Sequence, residues 1–275
     1  MSQTIYDHNE YYDSDGKASR LASILNPLLN FLDKMKAHTF IKKMGLQSGP
    51  VLDIGAGDGK FLYHMRSKGM EPYGTSASQI SCDAAKRLFD VDLHYTMELP
   101  EQITQRQYDA ISYWHVFEHL EKPEEHVKQW KAMLKPGAKV MIEVPNVGGL
   151  GSKLNFDAWL GSDIKHHINH MTQSEIETML SKYGLKTDRV EYFSLKFSYV
   201  FLWSALLGAC FGRKYHFDSV FSLLKDPVNM LRKKPIFTIN GLAAVVYMAP
   251  VILLLIGYGL LSKQGEVLKM YIEPQ

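Results

Sequence analysis

The stretch Val51-Leu52-Asp53-Ile54-Gly55-Ala56-Gly57-Asp58-Gly59 decides the fold. Its first four residues are typical of a short buried strand, and residues 60–68 form an amphipathic pattern typical of a helix. The glycines between them allow backbone N–H groups to approach a ligand where a Cβ atom would collide. The sequence therefore predicts a nucleotide-type loop, with an ordinary strand–helix turn as the alternative.

Strand-like and helix-like stretches alternate on both sides of this loop. Six more strands are predicted, the first ending at residues 73–75 and the others at 93–95, 108–114, 138–144, 187–193 and 266–272. Helices are predicted at 17–44 (divided by Pro27), 60–68, 79–88, 126–134 and, after a capping box at Thr172 and Glu175, up to 183. This alternation predicts an α/β fold with a seven-stranded, mostly parallel sheet and helices on both faces.

Composition excludes several classes of protein. Of the 275 residues, 46% are hydrophobic and 22% are charged, which excludes a disordered or collagen-like chain. The net charge of +2 excludes a dedicated nucleic-acid binder. The two cysteines, Cys82 and Cys210, are too few for a disulfide framework or a CxxC zinc site, which fits a reducing cytosol. The polar start of the chain predicts no signal peptide.

Two details of the loop indicate which ligand it binds. A dinucleotide fingerprint needs a third glycine where this chain has Lys60, so an oxidoreductase that uses NAD or FAD is disfavoured. Asp53 lies inside the strand just before the loop, where its carboxylate would repel a pyrophosphate but suit a cationic, amino-bearing ligand.

The stretch 51–59 resembles motif I of class I S-adenosylmethionine-dependent methyltransferases, which have a Rossmann-like fold. Segments 108–120 and 133–146 resemble the fourth and fifth strand motifs of that family. The histidine-rich stretch and the helix that follows it resemble a small-molecule branch related to the enzymes of ubiquinone synthesis. The resemblance covers 45–194 and 265–273. It implies O- or C-methylation of a small-molecule or lipid-linked acceptor, with S-adenosylmethionine as the cofactor.

The resemblance also implies a set of cofactor-binding residues. Gly55, Ala56 and Gly57 would contact the methionine part of the cofactor, with Asp53 near its amino group. The ribose-binding position, usually acidic in the family, is Ser76 here, so a membrane-attached protein without catalytic activity stays an alternative. The full predicted set is Asp53, Gly55, Ala56, Gly57, Gly59, Ser76, Met97 (near the adenine) and Trp114.

Histidines supply the catalytic candidates. His115 follows the fourth predicted strand and is either the general base or a residue that orders the loop by hydrogen bonding. His167 is the candidate from a second cluster, with His166 and His170. Residues 115–119 match the H-x-x-E-H pattern of some zinc proteases, but the two histidines need not share a helix, and Glu118 and His119 are expected to fix the start of the next helix. No metal site is predicted.

The chain is predicted to have three parts: an N-terminal helical segment (1–45), a methyltransferase domain (46–194 with 265–275) and a hydrophobic helical insertion (195–264). Residues 235–262 carry no charge, and the segment 236–262 is longer than a bilayer needs. If both flanking strands belong to one sheet, the chain must leave and return on the same side of the membrane. The loop 213–234 has a net charge of 6 − 2 = +4, which disfavours its export, and Pro250 interrupts the segment. We therefore expect a hairpin or re-entrant element in a cytoplasmic protein at the membrane surface, with an apolar cap or a dimer contact as the alternative. The oligomeric state stays open.

Overall fold

The computed structural model describes residues 20–96, 98–194, 197–212 and 227–275. Three sequence predictions fall on residues outside these ranges. They concern residues 1–19 of the N-terminal helical segment, the adenine contact of Met97, and residues 213–226 of the basic loop.

Seven strands form one sheet, in the order β3-β2-β1-β4-β5-β7-β6. The strands are β1 (Gly49–Ile54), β2 (Met70–Ser76), β3 (His94–Tyr95), β4 (Tyr108–Trp114), β5 (Leu134–Pro145), β6 (Leu185–Glu191) and β7 (Val267–Pro274). β7 lies between β5 and β6 and runs antiparallel to both, while the pairs among β1 to β5 are parallel. The predicted α/β fold with a mostly parallel seven-stranded sheet is confirmed.

Eleven α-helices connect or extend the strands in the described part of the chain. They are α1 (Arg20–Met44), α2 (Lys60–Arg66), α3 (Gln79–Phe89), α4 (Glu101–Thr104), α5 (Pro123–Met133), α6 (Leu150–Asn155), α7 (Gln173–Ser181), α8 (Phe197–Phe211), α9 (Pro227–Lys233), α10 (Pro235–Tyr247) and α11 (Ala249–Leu261). A 3₁₀ turn covers Phe117–His119.

The predicted break at Pro27 is wrong, because α1 is one continuous helix. A proline removes one backbone hydrogen bond, and the remaining bonds of a 25-residue helix continue on both sides of it. Packing also fixes the second half of α1, where Ala37, Phe40 and Met44 are buried against the sheet. Tertiary burial therefore outweighs the local preference of proline.

The sheet is covered on both faces. Side chains alternate along each strand, so that Leu52 and Ile54 face one hydrophobic cluster and Val51 faces the other. The first cluster contains α5 and α7 and includes the fully buried Trp130. The second contains α1, α2 and α3, including Phe40. The carboxyl ends of β1, β4 and β5 therefore lie at one edge of a rigid core.

Local signals fix the helix ends nearest this edge. Ser78 is the N-cap of α3, and its hydroxyl oxygen accepts a hydrogen bond from Ser81 N–H at 3.3 Å. The predicted capping box of α7 is confirmed, with Thr172 and Glu175 bonded reciprocally. After α7 the chain turns at Gly184, which has a left-handed φ of 64°.

The apolar residues between β6 and β7 build a separate core with α6. Trp159, Leu202 and Trp203 are fully buried there, and Ile252 of α11 packs into the same cluster. α10 and α11 meet near Pro250, at the interruption that the sequence predicts. In the parts of the chain that the structure describes, no helix combines the length and the apolar character needed to cross a membrane.

Candidate active site

The glycine loop needs glycine for two different reasons. Gly55, Gly57 and Gly59 all have left-handed φ angles of 56–74°. A Cβ atom on Gly55 would lie 2.4 Å from Val116 Cγ2, so packing excludes one there. A Cβ atom on Gly57 would meet no described atom within 4 Å, so Gly57 borders open space in which a ligand can lie.

The loop is fixed to the end of β2. The N–H group of Gly55 donates to Thr75 Oγ1 at 3.2 Å, and the N–H group of Ala56 donates to the Thr75 carbonyl at 2.7 Å. α2 begins directly after Gly59, so the start of a helix faces the same space. This is the strand–loop–helix geometry that the sequence predicts.

Asp53 places a buried acid directly before the loop. It is 2% exposed, and its Oδ1 accepts a hydrogen bond from Ser112 Oγ at 2.6 Å. Burial raises the pKa of Asp53 to about 6, although the positive charge of Lys36 and the Ser112 hydrogen bond act in the opposite direction. A cationic ligand near this carboxyl group would favour its ionised form.

Trp114 forms an aromatic surface at the end of β4, as predicted. The Lys36 ammonium lies 3.7 Å from a Trp114 ring centroid, and the Lys269 ammonium lies 5.3 Å from it. Phe61 meets Trp114 at a centroid distance of 5.5 Å. Sequence reasoning missed Lys36 and Lys269, because neither belongs to a motif and both reach the site through the fold.

Ser76 lies at the end of β2, where the ribose contact is expected. It is buried, and its Oγ accepts a weak hydrogen bond from Ser78 N–H at 3.4 Å. The ribose contact stays a prediction, and the Ser76 hydroxyl already has a partner within the chain.

His115 lies between two buried carboxylates. Its Nδ1 is 3.3 Å from Glu118 Oε1, and its Nε2 is 3.1 Å from Glu143 Oε1. Burial alone would lower the pKa of His115, but the hydrogen bonds and charges of the two glutamates outweigh it and raise this pKa to about 9. His115 is therefore an imidazolium at neutral pH. Its backbone is also left-handed, with φ 54°.

Glu143 connects this group to the last strand. Lys269 lies directly opposite it in the β5–β7 pair, and Lys269 Nζ is 2.7 Å from Glu143 Oε2. Burial would raise the pKa of Glu143, but His115 and Lys269 lower it to about 2. The four charges of His115, Glu118, Glu143 and Lys269 form one compensated cluster.

The loop histidines are held by backbone carbonyls. His167 Nδ1 is 2.9 Å from the Gly161 carbonyl, and His119 Nδ1 is 2.9 Å from the His166 carbonyl. A carbonyl can only accept, so Nδ1 carries a proton in both rings, and in a neutral His167 ring Nε2 is the acceptor nitrogen. Burial lowers the pKa of His167, which is therefore neutral at neutral pH.

Glu118 anchors the loop that carries His167. The carbonyl oxygen of Glu118 accepts hydrogen bonds from the N–H groups of Ile168 and Asn169, both at 3.0 Å. The expectation that Glu118 and His119 fix a helix start is wrong, because α5 begins only at Pro123. The two residues lie in the 3₁₀ turn, which brings them to His167 instead.

Glu118, His119 and His167 form a possible metal-ligand set. One ligand atom from each lies within 4.8 Å of the others. Glu118 is buried, and both histidine rings are oriented by carbonyl groups behind them, as ligating histidines usually are. The zinc-protease pattern does not apply, because His115 precedes the 3₁₀ turn and shares no helix with His119.

Comparison with known proteins identifies the class. A family model described as "Methyltransferase domain" matches residues 20–190, and the chain belongs to this family. The fold and the glycine loop are accordingly those of an S-adenosylmethionine-dependent methyltransferase. The family match favours a methyltransferase over the oxidoreductase alternative.

Individual relatives are distant. A ubiquinone biosynthesis O-methyltransferase from Coxiella burnetii is 24% identical over 137 residues, which is 48% of this chain and 56% of that protein. The chain thus matches little more than half the length of these curated relatives. A SAM-dependent methyltransferase from Archaeoglobus fulgidus has a TM-score of 0.50 at 23% identity, covering 60% of this chain and 73% of that one. The plantazolicin methyltransferase BpumL, solved with SAH, has a TM-score of 0.51 at 14% identity, and the match covers 97% of this chain and 93% of that one. These structures share the fold.

Proposed function

We propose that this protein transfers a methyl group from S-adenosylmethionine to oxygen or carbon of a small-molecule or lipid-linked acceptor. The observation that carries the proposal is the buried Asp53 carboxyl group at the glycine loop, beside the Trp114 surface and next to a histidine cluster. When bound, the cofactor supplies a methyl group on a positively charged sulfur that is already activated for transfer.

The residues around the loop fit this cofactor. Open space at Gly57 allows the methionine part to lie against Gly55, Ala56 and Gly57, as in the family. The Asp53 carboxylate would attract the amino group, and Trp114 would contact the cation through its ring. The remaining family positions are Gly59 at the helix start, Ser76 at the ribose and Met97 at the adenine.

His167 is the general base in this proposal. Its acceptor nitrogen Nε2 lies in a neutral ring, so it can take the proton that a hydroxyl acceptor loses as the oxygen–methyl bond forms. His115 already carries a proton and is fixed by Glu118 and Glu143. Of the two roles that the sequence leaves open for His115, we therefore assign the ordering role.

Metal binding is a second candidate role for the same side chains. Glu118, His119 and His167 offer one carboxylate and two imidazole ligands, a donor set that suits a divalent cation such as Zn²⁺. A bound cation would occupy His167 Nε2 and replace its function as a base. The two roles of His167 exclude each other, so an experiment can separate them.

The acceptor is proposed to reach the site from a membrane surface. Phe197, at the start of α8, packs on His115 with a ring-centroid distance of 4.0 Å. Phe201 of the same helix is 6.2 Å from His115. The first helix of the hydrophobic insertion thus forms an apolar wall of the site, which favours an acceptor with an apolar part.

The test is methyl transfer from a labelled donor to small-molecule and membrane-lipid extracts. We expect the purified full chain to label a product, and His167→Ala to lower the rate about 100-fold or more. His166→Ala is the matched control, because it removes a neighbouring histidine whose ring pairs with Asp163. Binding of S-adenosylmethionine without any labelled product would support the non-catalytic alternative.

The same assay distinguishes a general base from a metal ligand at His167. If His167 is a base, a chelator leaves the rate unchanged and His119→Ala lowers it only slightly. If the three side chains hold a cation, the chelator abolishes the rate, and both His119→Ala and His167→Ala abolish Zn²⁺ binding in calorimetry.

A further inference from the structure

For their length, the helices α10 and α11 expose more large apolar side chains than the rest of the described chain. Eleven of the 22 exposed large hydrophobic side chains among the described residues lie between Leu231 and Leu261. Leu261 is 89% exposed, Tyr247 82% and Leu254 75%. Isolated apolar side chains are normal on a protein surface, but a concentration of this kind marks a contact site.

These side chains form one face. On α10 the exposed large apolar positions are Ile236, Ile239, Val246 and Tyr247, and on α11 they are Val251, Leu253, Leu254, Tyr258, Leu260 and Leu261. Most of them are three, four or seven residues apart, which places their side chains on one side of a helix. We call these ten residues the outer face. The opposite side of both helices is buried on α8, through residues such as Ala244 and Ile252.

Positive charge lies next to the outer face. Arg232, Lys233, Lys234 and Lys263 are exposed at the two ends of the α10–α11 segment. Residues 227–265 contain no aspartate or glutamate, so this segment has a net charge of +4. An apolar face with cations at its ends and tyrosines along it complements an anionic lipid bilayer, where acyl chains lie below charged headgroups.

The lengths of the helices define the mode of contact. Each has 13 residues and is therefore about 20 Å long, whereas the hydrocarbon core of a bilayer is about 30 Å thick. The two helices are joined near Pro250 and lie on a folded core. Contact in the plane of the interface accounts for both the exposed face and its cationic ends.

We infer that the outer face of α10 and α11 docks on an anionic bilayer surface. α8 then lies between the bilayer and His115, because its Phe197 and Phe201 contact His115 while its other residues pack against α11. The idea that this contact serves delivery of a lipid-linked acceptor rests on the proposed function. The docking itself is independent of catalysis.

The experiment is co-sedimentation of the full chain with vesicles of phosphatidylcholine alone or of an equimolar mixture with phosphatidylglycerol. We expect binding to the mixed vesicles, weakened by added salt. The double variant Leu254→Glu, Leu261→Glu should reduce the bound-to-free ratio about ten-fold or more. Leu88→Glu is the matched control, since Leu88 is 60% exposed on α3, far along the chain from the outer face. Lys233→Gln should weaken binding to the mixed vesicles more than Lys68→Gln does.

Two results would overturn the inference. One is equal sedimentation of the wild type and the double variant. The other is a protein that is dimeric without vesicles and becomes monomeric in the double variant, because the outer face would then join two copies of the chain. S-adenosylmethionine affinity, measured by calorimetry in the absence of vesicles, should be the same in wild type and double variant. Cofactor binding without vesicle binding therefore refutes the docking alone, and vesicle binding without cofactor binding refutes the proposed function alone.

Discussion

The ammonium group of Lys36 lies 3.7 Å from a ring centroid of Trp114, so the N-terminal helix α1 contacts the end of β4 at the proposed cofactor site. The same ammonium group lowers the pKa of the buried Asp53 against the effect of burial. A second contact fixes α1 beside the loop, where Asp33 pairs with Lys60 at 2.7 Å. α1 is therefore part of the proposed cofactor site.

The affinity for S-adenosylmethionine should depend on pH through Asp53. Its pKa in the folded protein is about 6, so the carboxylate that attracts the amino group is lost as the pH falls below this value. We expect the affinity to fall about ten-fold per pH unit below about pH 6. Calorimetry across this range tests it, and Asp53→Asn should bind weakly with no such dependence. An equally steep fall in Asp53→Asn would contradict the assignment.

Alanine at two positions of the glycine loop should have different effects. Gly57→Ala places a Cβ atom in open space, so it should cost about 1 kcal/mol of unfolding free energy for the left-handed backbone but lower cofactor affinity about ten-fold or more. Gly55→Ala also collides with Val116 and should cost more than about 2 kcal/mol. Urea unfolding and calorimetry separate the two effects. Normal cofactor binding by Gly57→Ala would show that the open space is not the binding site.

Because of His115, the free energy of unfolding should fall as the pH becomes alkaline. The folded state raises the pKa of His115 from 6.5 to about 9, so its contribution is complete below about pH 6.5 and is lost as the pH rises to about 9. This contribution to the free energy of unfolding is about 3 kcal/mol. Glu143, whose pKa is lowered to about 2, loses its contribution at the opposite end, as the pH falls below 4.5.

Urea unfolding at several pH values measures this effect. His115→Gln should be less stable than the wild type at pH 6 and should lose less stability between about pH 7 and about pH 9. His94→Gln, which replaces an exposed histidine, is the control and should follow the wild type. Parallel curves for His115→Gln and the wild type would mean that His115 is not an imidazolium in the folded protein.

The rate of methyl transfer should fall at acid pH if His167 is the base. Burial lowers its pKa below 6.5, so the neutral ring persists until the pH falls below that value. The midpoint of the fall in kcat should therefore lie below pH 6.5. It should be absent in His167→Ala, whose residual rate should be flat. A midpoint near pH 9 would instead assign the base to His115.

Ser76→Asp should strengthen cofactor binding. An acid at the end of β2 would give the ribose hydroxyls a charge-assisted acceptor, which is about twice as strong as a neutral one. We expect an affinity increase of about ten-fold in calorimetry, at some cost in stability because position 76 is buried. Ser76→Ala should bind more weakly than the wild type. Unchanged affinity in both variants would place the ribose elsewhere.

Most of the sheet could be predicted from the sequence, because each strand follows from local patterning. β4 was predicted with its observed bounds, and the capping box at Thr172 located the start of α7. The continuity of α1 through Pro27 could not be predicted, since the packing of Phe40 and Met44 decides it.

The chemistry at the site was only partly predictable. Motifs located Asp53 and Trp114 correctly at the ends of neighbouring strands. The charge of His115 depends on Glu143 on another strand, and the charge of Glu143 depends on Lys269 on a third. Such long-range pairs leave no pattern in the sequence. The ordering role that we propose for His115 therefore rests on its partners, Glu118 and Glu143.

The position of β7 has a consequence for how the polypeptide is made. β7 lies between β5 and β6, yet residues 267–274 follow both of them and all of the apolar helices in the chain. During synthesis on the ribosome, the facing edges of β5 and β6 lack this strand until translation has passed residue 274. Until then, these open edges can pair wrongly while the long apolar segment between β6 and β7 emerges. We therefore expect chaperones to assist the folding of the nascent chain.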